Sequence, residues 1–372
     1  MLPATPFDGE VLVDTYDAIV VGARCAGSAT AMLSARGGMR VLLVDRADPA
    51  RDTLSTHALM RGGVVCLQRW GLLDAVRAAG TPPVTRTTFH YGAESDAVEL
   101  AEPLYAPRRT VLDPLLLDAA RAAGVEVRLG VDVTGLRRVG GRVSGIEGRV
   151  RGGGAFVASA PLTVGADGAR STVARLVEAP VLRAGRSSSA IVYGYTPWSG
   201  PGYEWFYTPG ATAGIIPTNA GEACVWTGSP TLDGDLASAF AAGFRRATGR
   251  EAPPVGRLRG FPGTPAILRA PVGDGWALVG DAGFYKDPLT AHGITDALRD
   301  AELLSRWALG DLDYPRIRDR HARLLFSVAE QIAGYRWDIP EVRALLLAES
   351  SAMRAETRML RGFDPRPAAV AA

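Results

Sequence analysis

The segment Tyr16–Gly27 constrains the fold more than any other part of the chain. Tyr16 to Val21 (YDAIVV) is apolar, rich in β-branched residues and bounded by glycine, the pattern of a buried parallel strand. Gly22-Ala23-Arg24-Cys25-Ala26-Gly27 then fits G-x-R-x-x-G, directly before the helix-forming run Ser28–Arg36. Gly22 permits a sharp turn and Gly27 lets the helix pack closely on the strand. A turn of this kind aims free helix N–H groups at an anion. Arg40–Val44 (RVLLV) reads as a second buried strand, closed by Asp45, which lies 23 residues after Gly22. There a carboxylate can accept both hydroxyl hydrogen bonds of a ribose, and Arg46 follows it. Arg24 stands where a second glycine is usual; its guanidinium suits bidentate pairing with phosphate. Taken alone, the motif is also compatible with a glycine-rich strand–turn–helix that holds no ligand.

Further glycine–aspartate turns follow two later strands. Pro161–Ala166 leads into Asp167-Gly168, and Trp276–Val279 leads into Gly280-Asp281. Each places a carboxylate at the carboxyl end of a strand, where open α/β sheets bind ligands. Helical spacing is read over 56–79, 112–123, 236–247, 291–309 and from Tyr314 onward, strands over 87–100 and 125–150, and Gly140-Gly141 as a hairpin turn. Between 181 and 261 strand-like runs are separated by proline and glycine, so an antiparallel β-rich insertion is expected inside an α/β domain. The 44 glycines, close to 12% of 372 residues, accord with so many turns.

In this order and spacing the motifs resemble those of the FAD-dependent monooxygenase and geranylgeranyl-reductase-like superfamily, with the p-hydroxybenzoate hydroxylase fold. The resemblance spans about Tyr16 to Leu309. It implies an α/β fold: a Rossmann-like FAD-binding domain (14–82, 107–180 and 264–310), an interleaved antiparallel substrate domain (83–106 and 181–263) and C-terminal helices (311–372). Gly22–Gly27 and Asp45 resemble the ADP-binding fingerprint. Arg109, in R-x-x-L, resembles the arginine that reaches the flavin side. Asp167-Gly168 resembles the DG motif, and Gly280-Asp281 the GD motif, whose aspartate binds the ribityl chain. Pro288, Ala291, His292, Gly293 and Ile294 resemble the turn and helix start at the flavin pyrimidine edge, with Thr290 where the family usually has glycine.

The resemblance implies an NAD(P)H-dependent monooxygenase that uses O₂ through a C4a-hydroperoxyflavin on an aromatic or polyene substrate. The chain shows no second nucleotide-binding βαβ unit, so the nicotinamide visits transiently or a separate reductase delivers electrons. The alternative is a flavin reductase or dehydrogenase acting on C=C bonds, as in the geranylgeranyl reductases. Eight of the 27 aromatic residues fall between 181 and 230. From these Tyr193, Tyr195, Trp205, Tyr207 and Trp226, with Pro217, are expected as substrate-pocket walls, although most such residues are expected to form the core of their own sheet. His57 and His292 are the candidate catalytic groups, able to carry a proton near neutrality; each can equally be structural.

Other classes are excluded or weakened. A net charge of +2 without like-charge blocks does not suit nucleic acid. The chain has no apolar run long enough for an integral membrane span, and MLPATPFDGE does not read as a signal peptide. Three scattered cysteines read as reduced thiols of a cytoplasmic protein, Cys25 among them as a small packing residue. No metal is expected, because no His/Cys/Asp/Glu set has metal-ligand spacing. Gly334–Pro340 looks similar to the G-W-x-W-x-I-P segment of flavin halogenases. It lies after the GD motif rather than before it, and Lys286, the only lysine, is outside the region where halogenases carry theirs. A flavin-binding module without turnover would lack a substrate cavity, which the insertion argues against. Residues 1–15 and the segment FDPRPAAVAA read as loose.

Overall fold

The computed structural model describes residues 14–47 and 52–364; most of the leader and of FDPRPAAVAA lies outside them. The apolar runs form a six-stranded sheet in the order 272–273, 276–278, 162–165, 18–21, 41–45, 126–129. Its pairs are parallel except for the edge hairpin 272–278. The register brings Val21 opposite Val44 and Gly165, and Gly165 opposite Leu278. The turns after these strands, at Gly22, Asp45, Ala166 and Val279, therefore share one sheet edge.

Two glycines make that edge possible. Gly22 has φ +107°, and a Cβ there would lie 2.5 Å from the Ala166 carbonyl oxygen. A Cβ on Gly27 would lie 1.7 Å from the Gly22 carbonyl oxygen. Any side chain at either position would push the helix Cys25–Arg36 off the sheet.

A seven-stranded sheet runs in the order 259–261, 190–197, 222–229, 211–217, 202–208, 84–91, 94–104. The early strand Val84–Tyr91 joins it through a parallel pair with Gly202–Thr208; the other pairs are antiparallel. The expected insertion and the segment before residue 107 thus share hydrogen bonds. Val181–Ala184 instead pairs with Ile267–Arg269, which pairs in turn with Phe284–Tyr285.

Several expected helices differ in extent. The 56–79 run divides into Arg61–Arg69 and Leu73–Ala78, because Gly71 adopts φ +75° and residues 56–60 are not helical, with His57 at φ +66°. The run from Tyr314 breaks into Tyr314–Ala333 and Ile339–Arg361. Tyr335 there takes φ +51°, and Asp338 starts the second helix with a capping box to Glu341. The helix expected from 112 begins at Arg109, which places Arg109 and Asp113 one turn apart on it.

Candidate active site

A cavity of about 550 Å³ opens along the sheet edge and continues toward the seven-stranded sheet. Of the expected cofactor residues, Gly22, Arg24, Cys25, Ala26, Asp45, Arg46, Arg109, Asp167, Gly168, Asp281, Pro288, Ala291, Gly293 and Ile294 line it. Ala23, Gly27, Gly280 and His292 do not belong to the lining and act behind it. The Ala23 N–H donates to Asp45 Oδ2 at 2.7 Å, which fixes the carboxylate at the strand end. Gly280, at φ +56°, lets the helix Cys25–Arg36 pass close by: a Cβ there would sit 3.0 Å from that of Ala26.

Two helix N-termini face the cavity. The helix Cys25–Arg36 has Arg24 at its N-cap with no side-chain cap and no acid in its first turn. The helix Gly293–Ala308 likewise has no side-chain cap, and Gly293 leaves open space toward Asp281 Oδ1, 4.0 Å from where a Cβ would be. Uncapped N–H groups aimed into a cavity want an anionic or carbonyl partner. Burial raises the Asp281 carboxyl, while Lys286 and Arg109 draw it down.

Arg109 is held by an unexpected partner. Asp113 accepts from Arg109 Nε and Nη2, both at 2.9 Å, and from Cys25 Sγ at 3.0 Å. Arg24 Nη1 lies 3.9 Å from the same carboxylate. Burial first, then Asp113, pushes the Cys25 thiol up, so Cys25 is a packing and hydrogen-bonding residue rather than a reactive thiolate. Asp167 turns back on its own chain: it accepts from Ser171 Oγ and from the N–H groups of Thr172 and Val173, at 2.6 and 3.2 Å for the latter two.

The histidines occupy other places than the cavity surface. His57 is fully buried with φ +66°, between Thr56 and Ala58, which do line the cavity. Its Nε2 pairs with the Tyr195 hydroxyl at 2.5 Å. Burial and the charges of Arg108, Arg109 and Arg259 hold its pKa well below the usual value, so the ring is neutral at pH 7. His292 turns away into a buried ion cluster, with Nδ1 3.1 Å from Asp296 Oδ1 and Nε2 3.0 Å from Glu356 Oε2. Although no such set is visible in the sequence spacing, the fold brings His292, Asp296 and Glu356 within 4.8 Å of one another. Arg299 bridges both carboxylates and Lys286 contacts Asp296, so side-chain cations balance this cluster.

Of the expected pocket residues, Tyr193 lines the cavity, with Ile191 beside it. The others pack within or behind their sheet. Trp205 donates Nε1–H to Thr87 Oγ1 at 3.0 Å and lies 6.2 Å from the Trp226 ring. Tyr207 packs against Trp337, Pro217 is buried at a strand end, and Arg108 covers the Tyr195 ring at 3.5 Å. Sequence reasoning missed Val131–Val133, Arg170 and Lys286, all of which line the cavity; the segment Thr53–Thr56, which leads into the expected His57, lines it too. Lys286 alone carried a signal, as the single lysine beside a glycine–aspartate turn.

The comparisons with known proteins agree with this geometry. The FAD binding domain family matches residues 15–232. The chain is 30% identical to a menaquinone reductase of Mycolicibacterium smegmatis, over 85% of this chain and 83% of that protein. It is 26% identical to digeranylgeranylglycerophospholipid reductase 1 of Methanococcoides burtonii, over 77% and 72%. The p-nitrophenol 4-monooxygenase of Pseudomonas putida shares the fold, with TM-score 0.75 and 17% identity over 96% of this chain and 100% of that one. This chain belongs to the FAD binding domain family and is a flavoprotein oxidoreductase by descent.

The residues present suit FAD. Uncapped helix starts and Arg24 suit a pyrophosphate, the Asp45 carboxylate a ribose, and the open space at Gly293 a flat ring. Among the described residues no helix is long and apolar enough to cross a membrane.

Proposed function

We propose that this chain is an FAD-dependent reductase that saturates carbon–carbon double bonds in a hydrophobic, polyprenyl-type substrate, with NAD(P)H as electron donor. The observation that carries the reading is the Tyr193 hydroxyl. Tyr193 lines the cavity, yet its buried hydroxyl has no hydrogen-bond partner among the described residues. Burial pushes it up to about 12, so it keeps its proton throughout the physiological range. A phenol held protonated beside an apolar wall can give a proton to carbon, while it is a poor base. Arg259, 5.9 Å from the ring centroid, stabilises the phenolate left behind. Neutral His57 holds Tyr195 in place next to it. Bound FAD supplies the two-electron redox chemistry. Relatives named for menaquinone and for a digeranylgeranyl lipid, both polyprenyl compounds, support the substrate class.

Monooxygenation of an aromatic or unsaturated substrate with O₂ is the second reading. It draws on the fold shared with a p-nitrophenol monooxygenase, but fold alone is compatible with several chemistries. Trp205, Tyr207 and Trp226, expected to wall an aromatic substrate, instead pack edge-on or tilted against other aromatic rings.

Anaerobic turnover separates the two. Protein loaded with FAD is mixed with NAD(P)H and a geranylgeranyl or menaquinone substrate without O₂. The expected product is heavier by two hydrogens. A product that forms only with O₂ and gains an oxygen atom overturns the reductase reading. Tyr193→Phe is expected to lower turnover by about 10²- to 10⁴-fold with FAD content unchanged, read by steady-state kinetics and the flavin spectrum.

A further inference from the structure

The cavity wall carries a lysine that the proposed chemistry does not use. Lys286 lies between the Gly280–Asp281 turn and the turn Pro288–Thr290, and it lines the cavity although its side chain is only 2% exposed. Behind it runs a continuous buried path of charge. Lys286 Nζ contacts Asp296 Oδ2. Asp296 Oδ1 meets His292 Nδ1 at 3.1 Å and Arg299 Nη1 at 2.5 Å. His292 Nε2 and Arg299 Nη1 then reach the two oxygens of Glu356, at 3.0 and 2.8 Å. Arg299 Nη2 pairs with Asp300 at 2.7 Å.

The surroundings of Lys286 can be named element by element. Asp281 faces it from the glycine–aspartate turn, Asp296 and Arg299 from the helix Gly293–Ala308, and Glu349 and Glu356 from the helix Ile339–Arg361. His292 feels its charge, Asp287 is its chain neighbour, and the Phe284 ring centroid is 4.8 Å from Nζ. Arg299 remains charged at any working pH, whereas a lysine can release its proton. Burial and Arg299 push Lys286 down to about 7, against the pull of Glu356, Asp281 and Glu349. A cation so poised responds to new negative charge in the cavity by binding its proton more tightly.

We propose that Lys286 is the redox-linked proton acceptor of this cavity: when FAD bound there gains two electrons, Lys286 Nζ takes up one proton from solvent and holds it against Asp296. The electrons come from an external donor, a nicotinamide nucleotide in turnover or dithionite at the bench. The proton comes from water, and Nζ–H is the only bond formed on the protein. Lys286 is thereby a positioning residue for the charge of the reduced state. The proposal rests on FAD occupying the cavity and is independent of whether the product is reduced or oxygenated.

The test is the midpoint potential of the FAD-loaded chain, measured by anaerobic dithionite titration from about pH 6 to about pH 9. Above neutrality the wild type is expected to steepen by a further ~30 mV per pH unit, the equivalent of tenfold in K for a two-electron couple. Lys286→Met is expected to lose the steepening and to lie at lower potential throughout. Lys286→Arg keeps the charge without the titration, so it is expected to lose the steepening while retaining a potential at least as high as the wild type. Glu349→Gln is expected to keep the steepening. A pH indicator is expected to record one more proton taken up on reduction at about pH 8 by wild type than by Lys286→Arg. Steepening retained in Lys286→Arg, or lost in Glu349→Gln and not in the lysine variants, overturns the proposal. If Lys286→Met fails to hold FAD, the arginine variant and the proton count still decide.

Discussion

Asp281 is placed where its charge is costly and useful at once. It lines the cavity and faces the uncapped start of the helix Gly293–Ala308, with burial raising its carboxyl and two cations drawing it down. A carboxylate in that position is a strong acceptor for ligand hydroxyls. Asp281→Ala is expected to weaken FAD binding by about 10- to 100-fold, the worth of a hydrogen bond to a charged group. Equilibrium dialysis measures it, and unchanged affinity refutes the role. At this scale Gly22, Gly27, Asp45 and Asp281 are legible from sequence because their meaning is local: each is defined by its distance from a strand end. The contact of Asp113 with Cys25 is not legible, because the two lie 88 residues apart, although Arg109 is one helical turn away. His292 shows the same limit. Its place in the turn is readable, but the direction of its ring is set by Glu356 on another helix.

Among the elements, the helix Ile339–Arg361 does the least expected work. Its apolar face packs on the body of the molecule, but Glu349 and Glu356 on that buried side enter the charge cluster. Glu349 Oε1 has no hydrogen-bond partner among the described residues, and burial pushes the carboxyl up to about 8, with Lys286 pulling it down. A carboxyl whose pKa is raised on folding stabilises the fold fully below its unfolded value of about 4.3 and loses that contribution as pH rises through about 8. Lys286, lowered on folding to about 7, acts in the opposite sense above that pH. From about pH 5 to about pH 7, wild-type stability relative to Glu349→Gln is therefore expected to fall by up to ~1.4 kcal/mol per pH unit. Urea unfolding of both proteins across this window checks it, and a flat difference removes the assignment. Periodicity reveals that a helix runs here. Where it begins depends on the Tyr335 backbone and the Asp338 capping box, which periodicity does not encode.

At the scale of the molecule, the cavity is walled by separate segments that lie between Val21 and Ala297 in the sequence. Val21–Ala26 and Asp281–Ala297 meet there with Ile191 and Tyr193 from the seven-stranded sheet. A ligand bound among so many elements stabilises all of them together. Saturation at 100 times Kd is expected to add about 2.7 kcal/mol to the unfolding free energy, visible as a rise in Tm with added FAD. No rise at saturating FAD contradicts occupation of this cavity. The parallel sheet and the β-rich insertion are legible because strand runs and proline–glycine punctuation survive in any context. The resemblance places 83–106 and 181–263 in one domain, but the parallel pairing of Val84–Tyr91 with Gly202–Thr208 is not legible, since nothing near either strand announces it.

Distance along the chain also orders events during synthesis. The turn Gly22–Gly27 leaves the ribosome early, but the counter-charges of His292 and Arg299 arrive with Glu356, near the end of the described residues. Until then Arg299 has Asp296 and Asp300 beside it, but the cluster behind the cavity lacks the carboxylate that ties it to the helix Ile339–Arg361.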